Sequence, residues 1–140
     1  NPRVRFVGFQ TGAALSELYS GARAVIASSR GFETFGMSVI EAYSRGVPVL
    51  ARKLGSYLEL VEGSGAGLTF ADAADLERGM RIMLEDDAQH DRMGERAYTL
   101  FRDSYSEDAV LPRYLSLVQR FRTFDAPTPS HVPLGEAARV

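Results

Sequence analysis

The stretch "AVIASSRGFETFGMSVIEAYSRGVPVLA", residues 24–51, decides the fold because it contains a strand, a loop, a helix and a second strand in that order. Two apolar runs, residues 23–28 and 47–51, overlap the ends of this stretch. They do not alternate between apolar and polar residues, which is typical of short strands covered on both faces. Between them the spacing predicts a helix over about residues 36–44, closed by Gly46. A strand, a helix and another strand in succession indicate parallel pairing.

The sequence on either side of this stretch continues the alternation of short strands and helices. Ahead of it we predict a strand over residues 4–9 and a helix over 12–22; after it, a short helix over 56–63, a strand over 66–70, and helices over 73–84, 87–101 and 106–122. Three polar residues are expected to cap the last three helices, namely Asp72, Asp86 and Ser106.

These elements predict an α/β fold with a partial Rossmann-like parallel sheet of about four strands, flanked by helices and followed by a helical C-terminal part. Residues 1–122 would form one domain. Residues 123–140 carry three prolines and little periodicity, so we interpret them as a tail or linker.

Composition argues against several classes of protein. The net charge is −2 with both signs scattered, so nothing indicates a nucleic-acid partner. No apolar run reaches the roughly 18 residues of a membrane span, and membrane association of a longer parent is left open. The absence of cysteine fits a reducing compartment, and we expect a cytoplasmic protein. No Asp/His cluster points to a metal, so no metal or cofactor is expected.

Two acidic residues bracket the start of the central helix. Glu33 lies in a loop of small residues, and Glu41 follows eight positions later among apolar neighbours. A helix start offers unpaired N–H groups to anions, and carboxylates accept hydrogen bonds from sugar hydroxyls. The residues alone leave two interpretations open. The acids could hold a ligand with phosphates and hydroxyls, or Glu33 could be an ordinary acid near a helix start and Glu41 a solvated helix position.

The sequence lacks the glycine-rich phosphate loop G-x-G-x-x-G of dinucleotide-binding domains. Its one glycine cluster, residues 63–67, precedes a predicted strand and is interpreted as a connector. Phosphates would therefore be held elsewhere, or by residues upstream of residue 1.

The motif E-x-F-G-x4-E-A followed by G-x-P-V, over residues 33–49, resembles the E-x7-E signature of retaining GT-B glycosyltransferases. This large family uses nucleotide sugars and includes sucrose synthases and bacterial mannosyltransferases. The similarity extends from about Val4 to Phe121. It implies that the chain is the C-terminal, donor-binding half of a GT-B fold.

The resemblance assigns roles to individual residues. Glu33 would be the catalytic-site acid that contacts the donor sugar's hydroxyls, and Glu41 would accept from the ribose hydroxyls. Backbone N–H groups would bind the sugar and the diphosphate, and the nucleobase would lie near the end of the first predicted strand. The residues implied are Phe35 and Gly36 for the sugar, Met37 and Ser38 for the diphosphate, and Gly8 and Phe9 for the base.

The implied reaction transfers a hexose from a nucleoside diphosphate sugar to an acceptor hydroxyl, with retention of configuration. In the family, a cation pair for the diphosphate and an acceptor-binding domain lie upstream of the matching region. We therefore expect the chain to be truncated at its N-terminal side and inactive alone, with a glycan, lipid or small-molecule acceptor bound by the missing domain. The main alternative is a non-catalytic sugar-nucleotide-binding or interface module; a related GT-B enzyme of another reaction class and another nucleotide-binding domain rank lower.

Overall fold

The computed structural model describes residues 2–122, except for the side chain of residue 122. Helices and strands alternate along most of this length. In chain order they are α1 (Gly12–Ser20), β1 (Val25–Ala27), α2 (Met37–Tyr43), β2 (Val49–Arg52), the π-helix π1 (Leu58–Glu62), β3 (Gly67–Phe70), α3 (Ala73–Glu85), α4 (Asp87–Leu100), the π-helix π2 (Phe101–Tyr105) and α5 (Glu107–Arg122).

The three strands form one parallel sheet in the order β1-β2-β3. Val25 pairs with Val49, and Val49 pairs in turn with Gly67. Parallel pairing brings the carboxyl ends of all three strands to the same edge of the sheet. The loops that follow β1 and β2, which are the loops into α2 and π1, therefore meet at this edge.

Both faces of the central strand are buried, as its continuous apolar sequence predicted. Val49 and Ala51 are fully buried in a core shared with α2, π1 and α4, whereas Leu50 faces the opposite side and packs with Met83 and Met93. The predicted α/β architecture with a parallel sheet and a helical C-terminal part is confirmed.

The predicted strand over residues 4–9 is wrong, so the sheet of the described chain has three strands and not four. Phe6 and Phe9 are 94% and 93% exposed, and Val4 is 56% exposed. Aromatic and β-branched residues favour strands because they pack against neighbouring strands and covering layers. Within residues 2–122 no strand pairs with this segment, so its composition alone does not produce a ladder.

The three predicted N-caps are confirmed. The side chains of Asp72 and Asp86 each accept a hydrogen bond at 2.8 Å from the backbone N–H three residues later, and Ser106 Oγ accepts one from Ala109 at 3.2 Å. These bonds satisfy N–H groups that the first turn of a helix leaves unpaired. The predicted tail, residues 123–140, lies outside the described residues. Among residues 2–122, no helix is long and apolar enough to cross a bilayer.

Candidate functional site

Glu33 folds back onto the N–H groups of its own loop. Its Oε1 accepts hydrogen bonds from the backbone N–H of Gly36 at 2.9 Å and of Phe35 at 3.2 Å. These bonds, the one from Gly36 first, hold the pKa of the Glu33 carboxyl below its usual value. The family resemblance assigned the N–H groups of Phe35 and Gly36 to the donor sugar. In this structure both groups donate to the Glu33 carboxylate instead.

A glycine suits this turn better than any residue with a side chain. Its φ of 85° lies in the left-handed region, where a side chain is strained. A Cβ at this position would also stand 3.0 Å from Leu60 Cδ1 and 3.2 Å from Tyr57 Cε1. The conformation turns the chain from the Glu33 loop directly into α2.

A second loop, which follows β2, holds Glu33 from the other side. The backbone N–H of Ser56 donates to the Glu33 carbonyl oxygen at 3.2 Å, and the Tyr57 hydroxyl lies 3.5 Å from Glu33 Oε2. Gly55 permits the close approach, since a Cβ there would stand 2.5 Å from the Glu33 carbonyl oxygen. Burial first, and then the charge of Glu33, raise the pKa of Tyr57.

The sequence reasoning missed the part that residues 55–57 play, because residues 56–63 were interpreted only as a short helix. A signal was available. Both loops leave the carboxyl ends of neighbouring parallel strands, so their residues are expected to meet at one edge of the sheet, and Gly55, three residues after β2, permits a close backbone approach there.

The start of α2 leaves two N–H groups without a partner among residues 2–122. The carbonyl oxygen of Gly36 accepts hydrogen bonds from the backbone N–H groups of Val39 at 2.9 Å and Ile40 at 3.3 Å. The backbone N–H groups of Met37 and Ser38 donate to no acceptor among the described residues. Met37 is 59% exposed, and Ser38 is half-buried. These N–H groups can therefore donate to a ligand.

Glu41 is half-buried on α2, one turn after the helix start. Its Oε2 accepts a hydrogen bond from the hydroxyl of Tyr19 on α1 at 2.9 Å. Burial, and then this bond, raise the pKa of Tyr19 to about 12, so the hydroxyl keeps its proton at neutral pH. Glu41 lies among apolar neighbours, as its sequence position indicated, and it is neither fully buried nor fully solvated.

The structure does not bring Gly8 and Phe9 against the two acids. Phe9 is almost fully exposed, and a Cβ built on Gly8 would meet no atom within 4 Å. The two residues lie ahead of α1 in the segment that forms no strand.

Arg52 and Lys53 lie at the carboxyl edge of the sheet, at the end of β2. Arg52 ends β2 and donates to the carbonyl oxygens of Ser28 and Ala71, each at 3.4 Å, while its guanidinium lies 5.1 Å from the centre of the Phe70 ring. Its neighbour Lys53 forms an ion pair with Glu62 at 3.6 Å.

A protein-family model described as glycosyl transferases group 1 matches residues 1–100. The chain belongs to this family. The predicted family is thereby confirmed.

Similar proteins agree with this family. The structure of Anabaena HepE in complex with UDP matches 85% of this chain and 33% of HepE, with a TM-score of 0.78 and 24% identity. The structure of sucrose-phosphate synthase from Thermosynechococcus elongatus matches 86% of this chain, and the match covers 31% of the synthase, with a TM-score of 0.74 and 26% identity. A protein of Thermosipho melanesiensis described as "Probable sucrose-phosphate synthase" is 21% identical over 119 residues, which are 83% of this chain and 27% of that protein.

The chain thus spans about a third or less of the proteins that it matches. The matched region is α/β in this structure, and the likeness confirms that it has the fold of part of a GT-B glycosyltransferase.

Proposed function

We propose that this chain supplies the donor site of a glycosyltransferase that moves a hexose from a nucleoside diphosphate sugar to an acceptor hydroxyl, with retention of configuration. One observation carries the proposal. In a domain of a glycosyltransferase family, Glu33 and Glu41 flank the start of α2 at the E-x7-E spacing, and each carboxylate is held by a hydroxyl from another element.

The proposed roles follow the chemistry of the groups. Glu33 binds the hydroxyls of the donor sugar, and Glu41 accepts from the ribose. The free N–H groups of Met37 and Ser38 donate to the diphosphate. HepE has been solved with UDP and with UDP and glucose, which supports a donor of this class for the present fold.

Phe35 and Gly36 reach the sugar only after the Glu33 carboxylate leaves their N–H groups. Gly8 and Phe9 belong to the segment proposed to contact the base. Their exposure in this structure leaves them accessible to it.

In the proposed reaction the nucleoside diphosphate departs, and the sugar acquires oxocarbenium character. Negative charge grows on the leaving phosphate at the same time. N–H groups that already point at the phosphate stabilise this charge without having to reorganise, which is worth more in a site shielded from water. The proposal uses no metal or cofactor for this step.

The remaining components belong to the complete protein. We propose that residues 1–122 form its C-terminal donor domain, and that an N-terminal domain binds the glycan, lipid or small-molecule acceptor. The chain by itself would then bind the donor without transferring it. We also propose the cytoplasm as its location, where nucleotide sugars are abundant.

Calorimetry with UDP-, GDP- and ADP-glucose tests the site, and a transfer assay on the complete protein tests the reaction. We expect one donor to bind, and E33Q and E41Q each to weaken it at least tenfold, while E95Q on the exposed face of α4 has no effect. NMR of the product reports the anomeric configuration.

Two outcomes would contradict parts of the proposal. If the complete protein binds a donor but transfers no sugar, the non-catalytic module is favoured instead. If the isolated chain transfers a sugar, the proposal that it is inactive alone is refuted.

A further inference from the structure

The hydrogen bond between Tyr19 and Glu41 connects two helices that are far apart in sequence. Tyr19 lies at the end of α1, packs against the main core and donates to Glu41 Oε2 at 2.9 Å across 22 residues of chain. Among residues 2–122, no hydrogen bond to the other carboxylate oxygen, Oε1, is recorded, and that oxygen is not among the buried polar atoms without a partner. Oε1 is therefore at least partly accessible to solvent and has no hydrogen-bond donor among residues 2–122.

We propose that Tyr19 is a positioning residue that fixes the Glu41 carboxylate and directs Oε1 at a ribose hydroxyl. The inference rests on the proposed function, since it assigns the determinant of ribose recognition at the same site. A free glutamate side chain has several rotamers to lose when a ligand binds. A carboxylate already held by one oxygen loses fewer of them, so preorganisation strengthens its bond to the ligand.

Arg45 holds Tyr19 in place without neutralising Glu41. Its guanidinium lies 5.5 Å from the centre of the Tyr19 ring. The guanidinium is itself positioned by two hydrogen bonds that it donates to Ser16 Oγ, at 3.0 and 3.3 Å. It also donates to the backbone carbonyl of Glu41 at 3.0 Å. Within the described chain no ion pair links Arg45 to the Glu41 carboxylate.

The identity of the partner matters for the acceptor strength of Glu41. An arginine in a bidentate pair would occupy both oxygens of the carboxylate, whereas the one hydroxyl of Tyr19 occupies only Oε2. Hydrogen bonds from a ribose hydroxyl to an ionised carboxylate are roughly twice as strong as bonds between neutral groups. The phenol of Tyr19 carries its proton at neutral pH and so acts as the donor in this bond, and its raised pKa, about 12, extends this to more alkaline pH.

The test compares Y19F with the unchanged complete protein. Calorimetry gives the dissociation constants of the tightest binder among UDP, GDP and ADP, and of its 2′,3′-dideoxy analogue. We expect Y19F to weaken the ribonucleotide about threefold to tenfold and to leave the dideoxy analogue unchanged, so that their affinity ratio shrinks. In the E41Q background Y19F should change nothing further. Y114F, on the exposed face of α5, is the matched control and should behave as the unchanged protein.

The outcomes separate this inference from the proposed function. Equal weakening of both nucleotides in Y19F, or no weakening of either, overturns the positioning role, provided that E41Q weakens the ribonucleotide. If no nucleoside diphosphate binds, or if E41Q leaves the affinity unchanged, the proposed function itself fails. Urea unfolding of Y19F checks that the domain is folded in every comparison.

Discussion

The carbonyl oxygen of Glu33 lies only 2.5 Å from the point that a Cβ would occupy on Gly55. Two loops from neighbouring strands thus touch through their backbones, at the residue proposed to bind the donor sugar. The backbone N–H of Ser56 also donates a hydrogen bond to this Glu33 carbonyl oxygen, at 3.2 Å. The shape of the Glu33 loop is therefore set partly by residues that follow β2.

Substitution of Gly55 by alanine tests this contact. Gly55 has a φ of 56°, so G55A adds backbone strain to a clash with backbone that cannot rotate away. We expect the free energy of unfolding, measured with urea, to fall by about 1–3 kcal/mol, and donor affinity to fall as Glu33 shifts.

The matched control is G31A in the Glu33 loop itself. Gly31 has no positive φ, and a Cβ there would meet only Ser29 Oγ at 3.7 Å. G31A should leave stability and binding nearly unchanged. If both variants lose stability equally, the specific role of Gly55 is refuted.

The depressed pKa of Glu33 predicts a pH dependence of stability. Because its N–H partners favour the charged form, the ionised carboxylate stabilises the folded state above its ordinary pKa of 4.5, and this contribution is lost as the pH falls through the lower folded-state value. The stability difference between the unchanged domain and E33Q should therefore be largest near pH 7 and shrink below about pH 4.5. Urea midpoints across the pH range measure it.

The control for this dependence is E95Q, because the Glu95 side chain is exposed and forms no recorded hydrogen bond among residues 2–122. Its stability difference should not follow the same curve. A pH-independent difference for E33Q would contradict the role of the loop N–H groups.

The engagement of Gly36 by Glu33 predicts a spectroscopic change on donor binding. In the free protein the Gly36 amide proton donates to Glu33 Oε1, so its chemical shift should titrate with that carboxylate. If the donor sugar draws the carboxylate away, the amide of Gly36 should stop following its titration once a nucleotide sugar is bound. Two-dimensional NMR over a pH series, with and without the donor, checks this.

A nucleoside diphosphate without the sugar is the control ligand, and it should leave the titration of the Gly36 amide intact. If the amide follows Glu33 equally in the free and the donor-bound protein, the carboxylate does not move, and Phe35 and Gly36 do not reach the sugar.

The buried carbonyl of Leu60 predicts a non-additive pair of substitutions. It accepts hydrogen bonds from the hydroxyls of Tyr43 at 3.0 Å and Ser64 at 2.6 Å. Y43F and S64A should each lower the free energy of unfolding by about 1 kcal/mol. The double variant leaves the carbonyl without either hydroxyl, so its loss should exceed the sum by about 1 kcal/mol in a double-mutant cycle. Simple additivity would show that another donor replaces them.

The sequence predicted correctly those elements that are recognisable from their own residues. It failed for the segment whose structure depends on pairing with another strand. β2 is buried on both faces, and its continuous apolar run shows this directly. The capping residues are equally legible, because a cap bonds to the chain three residues on. The segment over residues 4–9 has the composition of a strand, but strand formation depends on a neighbour that composition does not report.

The candidate site was likewise predictable in part from the sequence. The spacing of Glu33 and Glu41 is visible in the sequence, and so is the glycine at the helix start. The partners of the two acids are not, because Tyr19 and Tyr57 approach from other elements and only the folded chain brings them there. The direction of the N–H groups of Phe35 and Gly36 likewise depends on the left-handed turn at Gly36.

The backbone contact between the Glu33 loop and residues 55–56 has a consequence for engineering. A Glu33 loop grafted alone from a relative would arrive without the residues after β2 that contact it, and the acid proposed to bind the donor sugar would point differently. Exchange of sugar preference between members of this family should therefore succeed only when the two loops are transplanted together, as one unit of recombination.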